Sequence, residues 1–319
     1  MLCRKHSQNR HIIILGAVIF ALSGCQTNLS DKTRTPFVDT DYAQRHMISS
    51  AHKLASEAGL KILRNGGSAV DAAISAQLVL SLVEPQSSGI GGGGFLLHFD
   101  SKSGAIESYD GRETAPQSAH MRMFLKRNGK PKHFLEAVVG GSAVGVPGLV
   151  RMLEMAHLEH GRLPWADLFS PAIQLSEKGF PLSPRLSKLL AREQHLRKTP
   201  AAVGYLYNYQ RVEKPEGTIL KNPAFAITLR RIAYGGANAF YKGPIAESIV
   251  YAIRHAKKNP GNMTLSDLAN YKAIKRTPVC NKYRTKLVCG MGPPSSGGLT
   301  ISQMLGLLSR FNLQSMRPN

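Results

Sequence analysis

Five glycines fall within six positions of the chain, from Gly89 to Gly94. Such a run removes side-chain volume where the backbone must pass close to a ligand or to another segment. Gly89, Gly91 and Gly94 also match the G-x-G-x-x-G pattern of dinucleotide-binding turns, which requires a strand before the glycines and a helix after them. Here the order is reversed, because a helical pattern over residues 68–83 precedes the run and a strand pattern over residues 95–99 follows it. The context therefore excludes a nucleotide turn and predicts a different kind of site.

Arg112 is the strongest candidate for binding a charged ligand. It lies in the segment Asp110-Gly111-Arg112-Glu113, and a planar guanidinium binds a carboxylate through two parallel hydrogen bonds. From the residues alone, an ion pair with Asp110 or Glu113 at the end of a strand is an equally good interpretation of this arginine.

Other chemical motifs are weak. Residues 50–53 match S-x-x-K, but no K-T-G accompanies them, and we interpret them as the start of a helix. Residues 157–160, His-Leu-Glu-His, are one residue short of H-x-x-E-H, and we interpret them as a solvated helix end. Four cysteines are too few for a cysteine-rich zinc site, so we expect neither a metal nor a cofactor.

The composition is that of a globular protein with a strongly basic balance. The 319 residues are 43% hydrophobic, which allows one large domain or two ordinary ones, and the formal net charge is +21. The basic residues are scattered and are not interleaved with aromatic residues, so we do not expect nucleic acid as a partner. Lipid phosphates or acidic small molecules are candidate partners, and a basic surface that serves solubility alone stays open.

The N-terminal residues resemble an export signal. Arg4, Lys5 and Arg10 precede an apolar stretch, Ile12–Leu22, which is too short to span a bilayer. The following Leu-Ser-Gly-Cys resembles the lipobox of bacterial lipoproteins, which implies cleavage before Cys25 and acylation of its thiol. The alternative is an ordinary signal peptide with a chance cysteine.

These signals predict a lipoprotein signal peptide over residues 1–24 and a polar tether over residues 25–46. Gln26 stands where an aspartate is associated with retention in the inner membrane. We therefore expect an exported lipoprotein that faces the periplasm, in the outer membrane rather than the inner one.

The elements after residue 47 predict an α+β fold with helices on the outside. Helical patterns cover residues 50–64 and 68–83, with Ser68 and Asp71 placed as a capping box, and two strand patterns at 95–100 and 105–109 predict a hairpin. We expect a strand and turn over residues 140–148, then helices, among them 149–160, 168–178, 223–234 and a short one opening at Thr264-Leu265-Ser266-Asp267.

Cys280 and Cys289 flank a predicted hairpin. A two-residue turn at Arg284-Thr285 pairs Tyr283 with Lys286, and the two cysteines then face each other at a position without hydrogen bonds, where the backbones are close enough for a disulfide. Two-residue turns usually contain glycine or asparagine, so a longer loop with a shifted register is the alternative.

Five motifs occur in order along the chain, namely Asn65–Ala73, Pro85–Leu97, Asp110–Pro116, Ala143–Gly148 and Pro293–Gly298. Their order and approximate spacing resemble those of the gamma-glutamyltransferases, and the similarity runs from about residue 47 to about residue 311. The resemblance implies an N-terminal-nucleophile hydrolase fold, a four-layer α-β-β-α sandwich. It also implies transfer of a gamma-glutamyl group from glutathione or another gamma-glutamyl compound to water or an amine.

The resemblance also assigns roles to residues. It implies that Arg112 holds the alpha-carboxylate of the glutamyl group and that Glu113 helps to place this site. It further implies a pocket lined by backbone and small residues, for which packing alone is the alternative: Gly91, Gly92, Gly93, Gly94, Ser295 and Ser296.

The family's nucleophile is a threonine that self-cleavage frees at a new N-terminus. The sequence contains no Thr-Thr pair, so we expect residues 47–319 to be a truncated large-subunit portion, a single domain that needs a missing C-terminal portion or small subunit. Such a chain is expected to be poorly soluble and inactive alone. The alternative is a non-catalytic lipoprotein that binds gamma-glutamyl ligands or acts as a scaffold.

Overall fold

The computed structural model describes residues 43–316, so the predictions for residues 1–24 and for Cys25 lie outside the described residues. The strands are β1 Gly94–Phe99, β2 Ile106–Gly111, β3 Phe180–Pro181, β4 Ile219–Leu220, β5 Ile274–Arg276, β6 Val279–Tyr283 and β7 Lys286–Gly290. The α-helices are α1 Lys53–Arg64, α2 Ala69–Val83, α3 Phe134–Val138, α4 Leu149–His160, α5 Ser170–Lys178, α6 Pro184–Arg192, α7 Pro200–Leu206, α8 Pro223–Gly235, α9 Asn238–Tyr241, α10 Pro244–Arg254, α11 Leu265–Ala269 and α12 Gly297–Leu308. Within residues 43–316, no helix is both long enough and apolar enough to cross a membrane.

The helix α1 begins three residues later than predicted. Nδ1 of His52 accepts a hydrogen bond from the backbone N–H of Leu54 at 3.2 Å and so caps the first turn. Ser50 lies before the helix and bonds instead to the His52 carbonyl and to Ser56. The S-x-x-K residues therefore stand at a helix start, as interpreted from the sequence.

The helix α2 forms the centre of the core. Its predicted capping box is present, because Oγ of Ser68 accepts from the Asp71 amide and Oδ2 of Asp71 accepts from the Ser68 amide. The same carboxylate oxygen accepts from the amides of Arg162 and Leu163, at 2.9 and 3.1 Å. Asp71 thus joins the start of α2 to the loop after α4, and ten of the 15 residues of α2 are buried.

A three-stranded antiparallel sheet with the order β1-β2-β5 lies against α4. Tyr109 on β2 is fully buried and contacts Glu159 and His160 of α4, so this face of the sheet packs on that helix. Side chains alternate along a strand, and on the opposite face Leu97 and Phe99 of β1 are 44% and 61% exposed, whereas Ser108 and Asp110 of β2 are buried. The described residues thus form an α+β arrangement with one sheet face covered and the other exposed along β1.

The strand predicted over residues 140–148 is absent from the described structure. Gly141–Ala143 forms a single 3₁₀ turn, and only Val146 pairs with another segment, at Thr114. The backbone instead packs tightly on the segment after α10, since a Cβ on Gly140 would lie 1.9 Å from the Lys258 carbonyl oxygen. The missing side chains of the glycines allow this close backbone contact, which takes the place of sheet pairing.

The helix predicted from residue 168 is divided in two. A 3₁₀ turn covers Trp165–Phe169, and the α-helix begins at Ser170. Pro171 explains the break, because a proline in the first turn favours a new helix start.

The hairpin β6–β7 has the register derived from the sequence, with Tyr283 opposite Lys286 and Cys280 opposite Cys289. Arg284 in the turn adopts a positive φ of 54°, the conformation for which such turns usually have glycine or asparagine. The structure joins the two cysteines by a disulfide, with Cα atoms 4.1 Å apart.

The helix α12 packs on this hairpin through glycines. A Cβ on Gly290 would lie 2.7 Å from the Cα of Gly298, so the helix and the strand touch backbone to backbone. The remainder of α12 carries exposed apolar side chains, namely Leu299, Ile301, Met304, Leu307 and Leu308.

Candidate functional site

A pocket of about 370 Å³ lies between the end of α2, the glycine run and the end of β2. Gly92, Gly93 and the side chain of Glu113 line it, together with Gln77, Pro85, Ser87, Ser88 and Gly89. Two of the four glycines expected to line a pocket therefore do so. Gly91 is exposed beside the pocket, and Gly94 begins β1, where a Cβ would face Leu149 and Met152.

Backbone contacts fix the glycine run in place. The Gly92 carbonyl accepts hydrogen bonds from the amides of Gly148 and Leu149 at the start of α4, at 3.0 and 3.1 Å. A Cβ on Gly93 would lie 2.5 Å from the Gly111 carbonyl oxygen and 2.7 Å from Oε2 of Glu113. A side chain at Gly93 would therefore displace Glu113 and separate the run from β2.

Arg112 stands beside this pocket, at the end of β2. Its Nε lies 3.2 Å from Oε2 of Glu113, and its side chain is 56% exposed. Asp110 accepts from the Arg112 amide and pairs with Nε of Arg276 at 2.7 Å. The structure thus pairs the Arg112 side chain with Glu113, and this contact leaves the terminal nitrogens of an exposed guanidinium for a ligand carboxylate.

A buried tyrosine supports the backbone of Arg112. The hydroxyl of Tyr271 donates to the Arg112 carbonyl at 2.7 Å, and its ring stacks on Tyr241, whose hydroxyl donates to Pro147. Burial, with the nearby carboxylates of Asp110 and Glu113, raises the pKa of Tyr271 to about 12. This hydroxyl therefore remains a donor across the physiological pH range.

The sequence offered no signal for Tyr271, which lies 159 residues from Arg112 along the chain. An aromatic residue after a short helix is equally typical of ordinary packing. Only the tertiary arrangement brings its hydroxyl to the end of β2.

Ser295 and Ser296 lie elsewhere among the described residues. They precede α12, beside the cysteine hairpin, and neither lines the pocket next to Glu113. Ser296 occupies the N-cap position without a side-chain hydrogen bond, whereas Oγ of Ser295 accepts from the Gly297 amide at 3.2 Å. In the described residues, their contacts are those of a helix start.

Residues 55–319 match the family model described as gamma-glutamyltranspeptidase. The chain belongs to this family. It is 37% identical over 303 residues to a glutathione hydrolase proenzyme of Bacillus subtilis, a match that covers 95% of this chain and 50% of the relative. A glutathione hydrolase proenzyme of Escherichia coli is 35% identical, with 85% of this chain and 46% of the relative covered. The chain thus spans about half the length of the curated relatives it matches.

Solved structures of the family share this fold. The gamma-glutamyltranspeptidase of Helicobacter pylori superposes with a TM-score of 0.81 at 34% identity, covering 86% of this chain and 78% of that one. The predicted class, an α+β fold of the N-terminal-nucleophile hydrolase type, is confirmed. The relatives named here are glutathione hydrolase and gamma-glutamyltranspeptidase enzymes.

A second polar cluster, at the end of α4, was missed by the sequence analysis. The interpretation of residues 157–160 as a solvated helix end is wrong for both histidines, whose side chains are 14% and 18% exposed. His157 bonds to the Leu163 carbonyl, and His160 contacts Glu107 and Tyr109. The partners of His160 lie on a strand about 50 residues earlier in the chain, and a search for local motifs does not find them.

Proposed function

We propose that this chain forms the glutamyl-binding half of an enzyme that transfers the gamma-glutamyl group of glutathione, or of a similar compound, to water or to an amine. The observation that carries the proposal is the exposed guanidinium of Arg112 beside the glycine-lined pocket. A guanidinium binds a carboxylate through two parallel hydrogen bonds, and the glutamyl group presents its alpha-carboxylate for such a contact. The names of the relatives, glutathione hydrolases, support the choice of substrate.

Glu113 acts in this proposal as a positioning residue. Its carboxylate lies against Gly93 and contacts Nε of Arg112 at 3.2 Å, so it limits the positions that the guanidinium can occupy. The Tyr271 hydroxyl fixes the backbone of the same arginine. Together these contacts hold Arg112 ready for a ligand, which reduces the entropy lost on binding.

We further propose that the nucleophile belongs to a second portion of the protein and that this chain is inactive alone. The chain spans about half the length of its curated relatives, and its sequence contains no Thr-Thr pair. Exposed apolar side chains on α12 and on the open face of β1 give that portion a surface to cover. The DNA directly downstream provides a first test, since we expect an open frame that encodes Thr-Thr-His and a small subunit.

The activity test uses the chain together with this second portion and gamma-glutamyl-p-nitroanilide as substrate. We expect turnover by the completed protein and none by the chain alone. Arg112→Ala is expected to lower kcat/KM about 100-fold, since it removes a charged two-point contact. The matched control is Arg230→Ala, which removes an exposed ion pair with Glu177 on α5 and should leave kcat/KM unchanged.

Three results would contradict these proposals. Turnover by the chain alone would mean that the nucleophile lies within it, and an unaffected Arg112→Ala enzyme would remove this residue from the site. If the completed protein binds glutathione but never turns it over, the alternative of a non-catalytic gamma-glutamyl-binding lipoprotein replaces the enzyme.

We also propose that the protein is an exported lipoprotein anchored through Cys25 and facing the periplasm, in the outer membrane. The support is the order of basic, apolar and small residues before this cysteine. Labelling with radioactive palmitate in a host that processes lipoproteins tests the anchor. We expect incorporation into the wild-type chain and none into Cys25→Ser, and a labelled Cys25→Ser chain would exclude acylation at this residue.

A further inference from the structure

Two histidines and a glutamate meet on the helix-facing side of the sheet. His98 on β1 stands directly opposite Glu107 on β2, and His160 is the last residue of α4. Nε2 of His160 lies 2.8 Å from Oε2 of Glu107, and Nδ1 of His98 lies 3.9 Å from the same oxygen. The three possible ligand atoms all lie within 4.8 Å of one another.

We propose that His98, Glu107 and His160 bind a divalent transition metal of the zinc class. Nδ1 of His98 is buried and has no hydrogen-bond partner among the described residues, which a metal ligand explains directly. Two imidazoles and one carboxylate suit Zn²⁺, Cu²⁺ or Ni²⁺, whereas Mg²⁺ and Ca²⁺ prefer oxygen ligands. The expectation of no metal was based on the cysteine count and on the incomplete H-x-x-E-H match at residues 157–160, whereas this set needs no cysteine and takes only His160 from that segment.

Two neighbouring groups contact the proposed ligands themselves. The Tyr109 hydroxyl lies 2.6 Å from Nε2 of His160 and 2.8 Å from Oε2 of Glu159. Nζ of Lys275 contacts Oε1 of Glu107 at 2.5 Å, which leaves Oε2 facing the two imidazoles. The hydroxyl and the ammonium group therefore compete with the metal, the first for His160 and the second for Glu107.

Metal binding requires one local movement. The rings of His98 and His160 are stacked with centroids 3.8 Å apart, and a metal binds an imidazole in the plane of its ring. The two rings must therefore turn apart, while Nε2 of His160 exchanges its contacts with Glu107 and Tyr109 for the metal. Both side chains are nearly one-fifth exposed, so they border solvent through which the ion can enter.

The proposed metal site is distinct from the glutamyl pocket. The glycine run contacts the first residue of α4, whereas His160 is the last of its 12 residues. A helix of that length is about 18 Å long, so the metal takes no part in chemistry beside Arg112. The role that the geometry supports is structural, because the ion would fasten β1 and β2 to the end of α4.

Titration of the 319-residue chain with Zn²⁺ alone, after removal of bound metal by a chelator, tests the proposal. We expect one saturable equivalent, and nitrogen couplings in the electron paramagnetic resonance spectrum when Cu²⁺ replaces Zn²⁺. His98→Gln and His160→Gln should each lose this equivalent. The control His255→Gln changes an exposed histidine that stacks on Tyr251 of α10, and it should keep the equivalent.

Variants of the two competing groups separate a metal site from a merely structural cluster. Tyr109→Phe should tighten Zn²⁺ binding several-fold, because it removes the hydroxyl that contacts Nε2 of His160. Lys275→Gln should tighten Zn²⁺ binding several-fold, because it removes the competing ammonium, although it also removes ion pairs that stabilise the fold. Circular dichroism checks that each variant remains folded.

The proposal is overturned if the wild-type chain binds no Zn²⁺ saturably, or if the equivalent survives in folded His98→Gln and His160→Gln chains. Survival in both variants would assign the metal to other ligands, such as the cysteine thiols outside the described residues. None of these outcomes depends on gamma-glutamyl turnover.

Discussion

The helices α2 and α12 have similarly apolar sequences but very different surroundings. Ten of the 15 residues of α2 are buried, whereas α12 buries only Gly298 among its 12. The helix α2 packs against α1, α4 and α5, while α12 packs on the β6–β7 hairpin. An apolar sequence therefore predicts that a helix will be covered, but it does not say which part of the protein covers it.

The same contrast divides the sheet. The face that carries Tyr109 is closed by α4, and among the described residues the other face is open along β1, where Leu97 and Phe99 are exposed. The open face and α12 are the surfaces that we propose the second portion covers. The closed region should thus determine the stability of this chain, and the open region its assembly.

Matched leucine substitutions give the largest expected difference between the two helices. Leu78 on α2 is 2% exposed and Leu307 on α12 is 62% exposed. We expect Leu78→Ala to lower the free energy of unfolding by about 2–5 kcal/mol, through lost burial and a cavity. Leu307→Ala should change it by less than about 0.5 kcal/mol. Urea unfolding followed by circular dichroism measures both. Equal losses of unfolding free energy would show that α2 and α12 contribute equally to the stability of this chain.

Removal of the Asp71 carboxylate should have the next largest effect. Asp71→Ala removes a buried carboxylate and leaves the partly buried amides of Ser68, Arg162 and Leu163 without their acceptor, which should cost about 2–3 kcal/mol. Ser68→Ala removes only the helix cap and should cost about 1 kcal/mol. If the two variants unfold at the same urea concentration, the contacts of Asp71 with the loop after α4 contribute nothing.

Acid titration tests a second capping aspartate, Asp267 at the start of α11. Burial acts to raise its pKa, but hydrogen bonds from the Gln117 amide and from Thr264 outweigh burial, and the pKa is lowered overall. A lowered pKa stabilises the fold above the unfolded value of about 3.9, and this contribution disappears as the pH falls through the folded value.

We therefore expect Asp267→Asn to be about 1 kcal/mol less stable than wild type at neutral pH. The difference should shrink as the pH falls from about 5 to below 3.9. Urea unfolding at a series of pH values measures it. A difference that stays constant with pH would show that the ionised carboxylate does not contribute.

The smallest stability change is expected on the open surface. The double variant Ile301→Gln, Leu307→Gln should leave the free energy of unfolding within about 0.5 kcal/mol of wild type. Fluorescence of the dye ANS should fall and solubility should rise, because less apolar surface is exposed. The same variant should bind the second portion more weakly, and unchanged binding would place the interface elsewhere.

Local signals predicted much of the fold. Ser68 and Asp71 gave the start of α2, the helix α4 has its predicted bounds, and the register of the cysteine hairpin followed from counting residues. Each of these depends on neighbours within about ten residues. Prediction failed at residues 140–148, where contacts with a segment more than 100 residues away replace sheet pairing.

The site followed the same rule. Arg112 and Glu113 are neighbours in one motif, and the glycine run forms another. Both motifs are visible in the sequence. Tyr271 and the group of His98, Glu107 and His160 come together only through the tertiary fold. Such contacts between residues far apart in the sequence produce no periodicity or spacing that could predict them.

The disulfide between Cys280 and Cys289 lies where the chain passes from the closed region to the open one. It crosslinks the hairpin on which α12 rests, and closing a loop of this size contributes about 2–3 kcal/mol. We expect reduction to loosen the support under α12, while the core around α2 keeps its own contacts. Oxidation of this cysteine pair would then determine how firmly the exposed face of α12 is held for the second portion that we propose.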